Sequence, residues 1–284
     1  MTIDRLAVIG AGFMGSGIAE SAAAAGVEVT LYELEHAPLE RSRQRLRESV
    51  ARAVDGGKRT PDEAEALVSR ISHTTSLTDL EGADAAVEAA FEDVRVKGEI
   101  FKQLDVHLPD ATFLASNTSS IPIAELAAFT ARPERVVGLH FFSPVPVMKL
   151  VEVVVALESG DAAVLGAEAF ATQIAKQPIR TKDRAGFVVN MLLVPYLMAG
   201  VRMFEEGFAT REDIDTGMKL GCGHPMGPLT LCDFIGLDVL LAVCDSLYAE
   251  FRRSEYAAPP LLKRMVVAGR LGRKSGRGFY EYGT

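Results

Sequence analysis

The first half of the chain alternates short β-branched and aliphatic runs with longer stretches whose apolar positions recur every three or four residues. "RLAVIG" (5–10) predicts a strand, "GSGIAESAAAAG" (15–26) a helix stopped by Gly26, and "VEVTLYE" (27–33) the next strand. "LERSRQRLRESVARAVDGG" (39–57) predicts a long amphipathic helix. Strands follow at "DAAVEAA" (84–90) and "TFLASN" (112–117), with the helix "VRVKGEIFKQLDVHL" (94–108) between them. "RVVGLH" (135–140) and "MKLVEVVV" (148–155) are further strands, followed by a helix at 162–177 and a short strand at 178–182. Alternation of this kind predicts a mainly parallel sheet with helices on both faces.

After residue 184 the pattern changes. "GFVVNMLLVPYLMAGVRMFEEG" (186–207) has helical length and is apolar on most sides, which suits a buried helix kinked near Pro195. "REDIDTGMKLG" and "GLDVLLAVCDSLYAEF" continue the helical pattern with no strand of comparable strength. Two domains are expected, 1–184 and 185–284, the second all-helical. An apolar helix needs partners, so the second domain is also the expected contact of a homodimer.

Composition narrows the function. A net charge of −8 argues against a nucleic-acid binder, which needs surplus Lys and Arg against phosphate. No apolar run is long enough to span a bilayer. A strand pattern that begins at once leaves no room for a signal peptide, so a cytoplasmic location is expected. Cys222, Cys232 and Cys244 match no zinc spacing and are expected to be reduced, mostly packed thiols; no metal site is expected.

The stretch "GAGFMG" (10–15) has the form GxGxxG. Alone it is weak, but here it follows a strand, opens a helix and precedes an acidic residue at the end of the next strand. Gly10 allows the tight turn, Gly12 lets the backbone approach a pyrophosphate, and Gly15 lets the helix pack on the strand. With Phe13 and Met14 between them, these residues open a helix N-terminus to phosphate. Glu33 is placed to accept from the adenosine ribose hydroxyls and to repel a 2′-phosphate, which favours NAD over NADP. The expected fold is α/β: an N-terminal Rossmann-type doubly wound sheet with a C-terminal all-helical domain.

"HFFSPVPVMKLVE" (140–152) puts a histidine and a glutamate at the ends of an apolar, proline-interrupted stretch. If its flanking strands pair as a hairpin centred on Pro146, His140 and Glu152 fall opposite one another. An imidazole near neutral pKa suits the proton transfer of alcohol oxidation, and a carboxylate can orient it. A buried histidine on a carboxylate also serves structure, so spacing alone leaves both readings open.

The sequence resembles the L-3-hydroxyacyl-CoA dehydrogenases, including the short-chain 3-hydroxybutyryl-CoA dehydrogenases. The resemblance is carried by "VIGAGFMGSGIA", "ASNTSSIPI", "GLHFFSPVPVMKLVEVV", "GFVVNMLLVPYLMA", "DIDTGMKLGCGHPMGPLTLCDFIGLD" and "GRKSGRGFYEY", in that order along nearly the whole chain. It implies an NAD-dependent oxidoreductase acting on an acyl-CoA. His140 would be the general base, or the acid in reverse, with Glu152 its partner. Ser119 would bond the substrate's 3-oxygen and Asn190 would help hold the substrate. Glu92, Lys97 and Lys274 would contact the cofactor. Ser143 stands where the family usually has asparagine, one hydroxyl in place of an amide, so the ribose contact there changes in reach. The arginine-rich helix (Arg41, Arg43, Arg45, Arg47, Arg52) and Lys58 just after it, with Arg52 and Lys58 as the named substrate contacts, would meet the carrier's phosphates; the bland alternative is a solvated face. His224, in a Gly/Pro-rich loop, is expected to be structural. The competing functions are the same chemistry on an acyl-carrier-protein thioester or a free hydroxy acid, and a catalytically silent NAD-binding protein.

Overall fold

Residues 2–283 are described by a computed structural model. The chain divides at the Arg184–Ala185 junction into two compact units. The first carries an eight-stranded sheet in the order β3-β2-β1-β4-β5-β6-β7-β8. Its elements are β1 (Arg5–Ile9), α1 (Phe13–Ala24), β2 (Glu28–Tyr32), α2 (His36–Asp55), α3 (Pro61–Ser69), β3 (Ile71–Thr74) and β4 (Ala85–Glu88). Then come α4 (Val94–His107), β5 (Leu114–Ser116), α5 (Ile123–Ala127), β6 (Val136–Phe141), β7 (Leu150–Val155), α6 (Asp161–Gln173) and β8 (Gln177–Lys182).

All neighbouring strands run parallel except β6 and β7, which pair antiparallel. The central strands are buried on both faces, and so read as continuous apolar runs without alternation. Their core includes Val8, Val87, Ala115, Val137, Leu139 and Val153. The chain reverses its winding between β2 and β4, on either side of β1. In such sheets ligands bind beyond the carboxyl ends of the strands at the switch point.

Among the elements that the sequence pattern does not predict are β3 and α3. The edge strand β3 reads "ISHT", too short and polar to stand out, and is recruited by parallel pairing with β2. The helix α3 before it is fixed by a capping box: Thr60 accepts from the Glu63 amide and Glu63 returns to the Thr60 amide.

The second unit is helical: α7 (Val189–Glu205), α8 (Arg211–Cys222), α9 (Pro228–Ile235), α10 (Leu237–Phe251) and α11 (Pro260–Val267). Its own core gathers Leu197, Met198, Leu229, Cys232, Leu240, Cys244 and Leu262. The helix α7 starts later than its pattern suggests and runs through Pro195. It buries only one face, with Val194, Leu197, Met198 and Val201 inside and Leu192 largely exposed. Asp215 of α8 caps α9, accepting from the amides of Leu229 and Thr230. Asp233 of α9 holds the C-terminal segment by accepting from the amides of Phe279 and Tyr280 and the Tyr282 hydroxyl.

Candidate active site

The glycine-rich turn joins β1 to α1 at the switch point. Gly10 has φ +105°, and a Cβ there would lie 2.5 Å from the Ala89 carbonyl oxygen beyond β4. A Cβ on Gly15 would meet the Gly10 carbonyl oxygen at 1.8 Å. Gly12 differs, since a Cβ there would find nothing within 4 Å. Neighbouring protein therefore demands glycine at 10 and 15, whereas the bareness of Gly12 matters only to something that comes to it. No side chain caps α1, so its first amides, at Phe13 and Met14, face outward from the turn.

Arg45 holds this turn from behind. Its guanidinium donates to the Ala11 carbonyl and lies 3.3 Å from the Ser16 hydroxyl. Burial holds the Arg45 guanidinium below its usual pKa, with the Arg41 charge adding to the effect. Arg45 is thus held on the turn, apart from both readings of its helix, the carrier's phosphates and a solvated face. Arg52 and Lys58 remain exposed at the far end of α2 and just beyond it.

Glu33, just past β2, accepts from the Ala11 amide at 3.0 Å and the Leu34 amide at 2.9 Å. It lines a cleft of about 630 Å³ with Gly10, Gly12, Leu34, Phe91 and Ile100. This cleft fits NAD: bare backbone for the pyrophosphate, a carboxylate for the ribose and apolar walls for a planar base. Glu33 and the turn would hold the adenosine and pyrophosphate, and no arginine lines the cleft to receive a 2′-phosphate.

Beyond β4 lies a polar cluster. Glu88 and Lys97 are both buried and 2.7 Å apart. Lys97 also reaches Glu92 at 3.2 Å. Its ammonium is thus enclosed by two carboxylates and is not a surface of the cleft. Glu92 accepts from the hydroxyls of Thr118 at 2.5 Å and Ser120 at 2.8 Å, and from the Ser119 amide at 3.3 Å. Burial pushes the Glu92 carboxyl up, but the Lys97 charge and those hydroxyls together hold it below the usual carboxylate value. Glu88 went unremarked in the sequence, although a lone charge inside the buried run "AAVE" is the signal that marks it.

The hairpin has the register that symmetry about Pro146 predicts: Gly138 pairs with Val154, Leu139 with Val153 and His140 with Glu152. The His140 Nδ1 lies 2.7 Å from Glu152 Oε2, with 6% and 0% of the two residues exposed. Phe142 packs edge-on against the imidazole, ring centroids 4.7 Å apart. Asn117 accepts from the Phe141 amide at 2.9 Å, tying the "SNTSS" loop that carries Ser119 to the strand that carries His140. Ser143 is exposed at the start of the hairpin loop. Lys176 closes that loop, donating to the carbonyls of Val145 at 2.5 Å and Met148 at 3.0 Å.

The remaining candidates belong to the helical unit. Asn190 stands in the first turn of α7. Lys274 is paired with Asp238 at 2.5 Å. His224 Nδ1 lies 3.1 Å from the Tyr196 hydroxyl, a contact within the helical unit. Among the described residues no group of acidic, histidine and cysteine side chains could hold a metal ion. No helix among them is long and apolar enough to cross a membrane.

The sequence model for the NAD-binding domain of 3-hydroxyacyl-CoA dehydrogenases matches residues 5–184, and that for their C-terminal domain matches residues 186–282. The chain is 53% identical over 283 residues to a 3-hydroxybutyryl-CoA dehydrogenase of Mycobacterium tuberculosis, covering 99% of both chains. It is 40% identical to the human mitochondrial hydroxyacyl-coenzyme A dehydrogenase, covering 99% of this chain and 91% of that one. The crystal structure of (S)-3-hydroxybutyryl-CoA dehydrogenase from Ralstonia eutropha is similar over the full length of both chains, with a TM-score of 0.94 at 42% identity.

Proposed function

The chain belongs to the 3-hydroxyacyl-CoA dehydrogenases, NAD-dependent oxidoreductases, and from that premise we propose that it interconverts a short-chain L-3-hydroxyacyl-CoA, such as 3-hydroxybutyryl-CoA, with the 3-ketoacyl-CoA, using His140 as general acid and base. The observation that carries this reading is the buried 2.7 Å contact between His140 Nδ1 and Glu152. A carboxylate on Nδ1 fixes the tautomer whose basic lone pair is on Nε2. In the oxidative direction Nε2 takes the proton of the 3-hydroxyl as the carbonyl forms. Glu152 stabilises the imidazolium that results and keeps the ring aimed, and burial strengthens that stabilisation because little water screens it. NAD, when bound, accepts the two electrons and the hydrogen that leave C3. Ser119 donates to the 3-oxygen as its charge changes, and Asn190 holds the substrate.

The cofactor side is the turn at Gly10, Gly12, Phe13, Met14 and Gly15, with Glu33, Glu92 and Ser143 along the nucleotide. Lys97 acts on the cofactor through Glu92, and Lys274 is a more distant contact. Arg52 and Lys58 attract the phosphates of the acyl carrier. The enzyme works as a homodimer through the helical unit, where Leu192, Phe208 and Leu220 are largely exposed. The cytoplasm is its site of action.

The test is NADH consumption with acetoacetyl-CoA. Turnover by the wild type that collapses in His140→Gln supports both the carrier and the base. A folded wild type that binds NADH but turns over only the same acyl group on carrier protein, or a free 3-keto acid, overturns the CoA assignment and keeps the chemistry.

A further inference from the structure

Glu88 ends β4 with its carboxylate wholly enclosed, 0% exposed. An ion in that position needs a counter-charge and donors. It has Lys97 Nζ at 2.7 Å and the Ala90 amide at 2.6 Å on one oxygen, and the Ser116 hydroxyl at 2.6 Å on the other. Lys97, 1% exposed, bridges onward to Glu92. The three side chains hold two negative charges and one positive. The inner pair cancels, and the charge left over resides on Glu92, whose side chain alone of the three is substantially exposed. Glu92 is bonded to the loop of Thr118, Ser119 and Ser120.

We propose that Glu88 is a positioning residue that sets the charge of the cofactor site: by neutralising Lys97 it leaves one uncompensated negative charge on Glu92, which favours the oxidised nicotinamide over the reduced one. This rests on the reading above, in which Ser119 bonds the 3-oxygen of a substrate whose C3 passes its hydride to NAD, so that the nicotinamide lies by the Ser119 loop. The oxidised ring carries a positive charge that the reduced ring lacks, and the rest of the two cofactor forms is alike. Their relative affinity therefore reports the local potential. Without Glu88, the Lys97 ammonium would cancel Glu92 and the site would present no net charge to the ring. One unit charge about 10 Å away at an effective dielectric of about 20 is worth roughly tenfold in that ratio. The inner pair is buried, so salt screens it little.

The measurement is the dissociation constant of NADH, by its fluorescence, and of NAD, by competition, in the intact protein. Three forms are compared: wild type, Glu88→Gln, and Glu88→Gln combined with Lys97→Met. The cluster's net charge in these is −1, 0 and −1 by count of Glu88, Lys97 and Glu92. In Glu88→Gln the ratio Kd(NAD)/Kd(NADH) rises about tenfold. In the double variant the ratio returns to the wild-type value, whatever happens to the absolute affinities. A purely structural Glu88 would weaken both cofactors equally and would not be rescued by removing Lys97; either result overturns the proposal. If Glu88→Gln does not fold, Glu92→Gln decides, because it leaves the buried Glu88–Lys97 pair intact and brings the count to 0: a ratio raised about tenfold supports the proposal and an unchanged one overturns it. A folded wild type that binds neither cofactor form would instead strike the dinucleotide reading.

Discussion

Gly10 and Gly12 sit two residues apart yet differ in what a methyl group would meet. At Gly10 it strikes the Ala89 carbonyl oxygen in a backbone conformation unsuited to alanine. At Gly12 it enters open space. Gly10→Ala is therefore expected to lower the melting temperature, by the equivalent of about 2 kcal/mol or more. Gly12→Ala is expected to leave the melting temperature unchanged and to weaken NADH about tenfold or more, by filling space that a pyrophosphate needs. Calorimetry and a fluorescence titration on both variants check this; a Gly12→Ala protein that binds NADH normally would remove the turn from the cofactor site. His140→Gln should cost about 10³-fold in kcat/KM while NADH affinity holds. Glu152→Gln should also depress kcat, because an amide no longer stabilises the imidazolium. Steady-state kinetics beside the same titration separate these from a loss of cofactor binding.

At the scale of elements, the β6–β7 hairpin was legible because antiparallel pairing obeys a simple sum of positions, and the prolines fixed its centre. The glycine turn was legible for a like reason, since its residues are local and each answers to one steric demand. β3 was hidden, because "ISHT" gains its strand state from β2 rather than from its own residues. Arg45 was hidden for the opposite reason, since its position is ordinary and only packing shows that it is turned onto the Ala11 carbonyl; Glu88 is marked by its apolar run, but its partner Lys97 shows only in the packing. Lys176 belongs with them. Burial pulls its ammonium below the usual lysine value, an effect that Glu20 opposes. Its two bonds nevertheless close the loop of the hairpin. Lys176→Met keeps the stem and removes both donors, and is expected to cost about 1.5–3 kcal/mol, the range for hydrogen bonds to a charged group. A shifted midpoint in denaturant, with unchanged slope, would show it.

Across the whole molecule, each unit has its own core, and the thiols sample one of them. Burial pushes the Cys244 thiol up to about 12, with the nearby Asp245 charge adding to it, and holds Cys232 well above its usual value. Both should resist a thiol reagent in the native protein and react only on unfolding, with Cys222 exposed. Fast labelling of all three would mean that the helical core opens readily. The exposed Leu192, Phe208 and Leu220 predict twice the chain mass in sedimentation, and Phe208→Glu with Leu220→Glu should shift it toward the 30.5 kDa monomer. A wild type that sediments as a monomer would remove the helical unit's role in assembly.

The antiparallel pairing of β6 with β7 also has a consequence in time. His140 and Glu152 are 12 positions apart and joined by a single loop, and hairpins close within microseconds. The β1–β4 pairing that sets Gly10 beside Ala89 must wait for distant segments to meet, and such pairings form slowly. A folding chain is therefore expected to bring His140 and Glu152 together before the cleft at the glycine turn exists, and in pulsed hydrogen exchange the amides shared by β6 and β7 should gain protection ahead of those between β1 and β4.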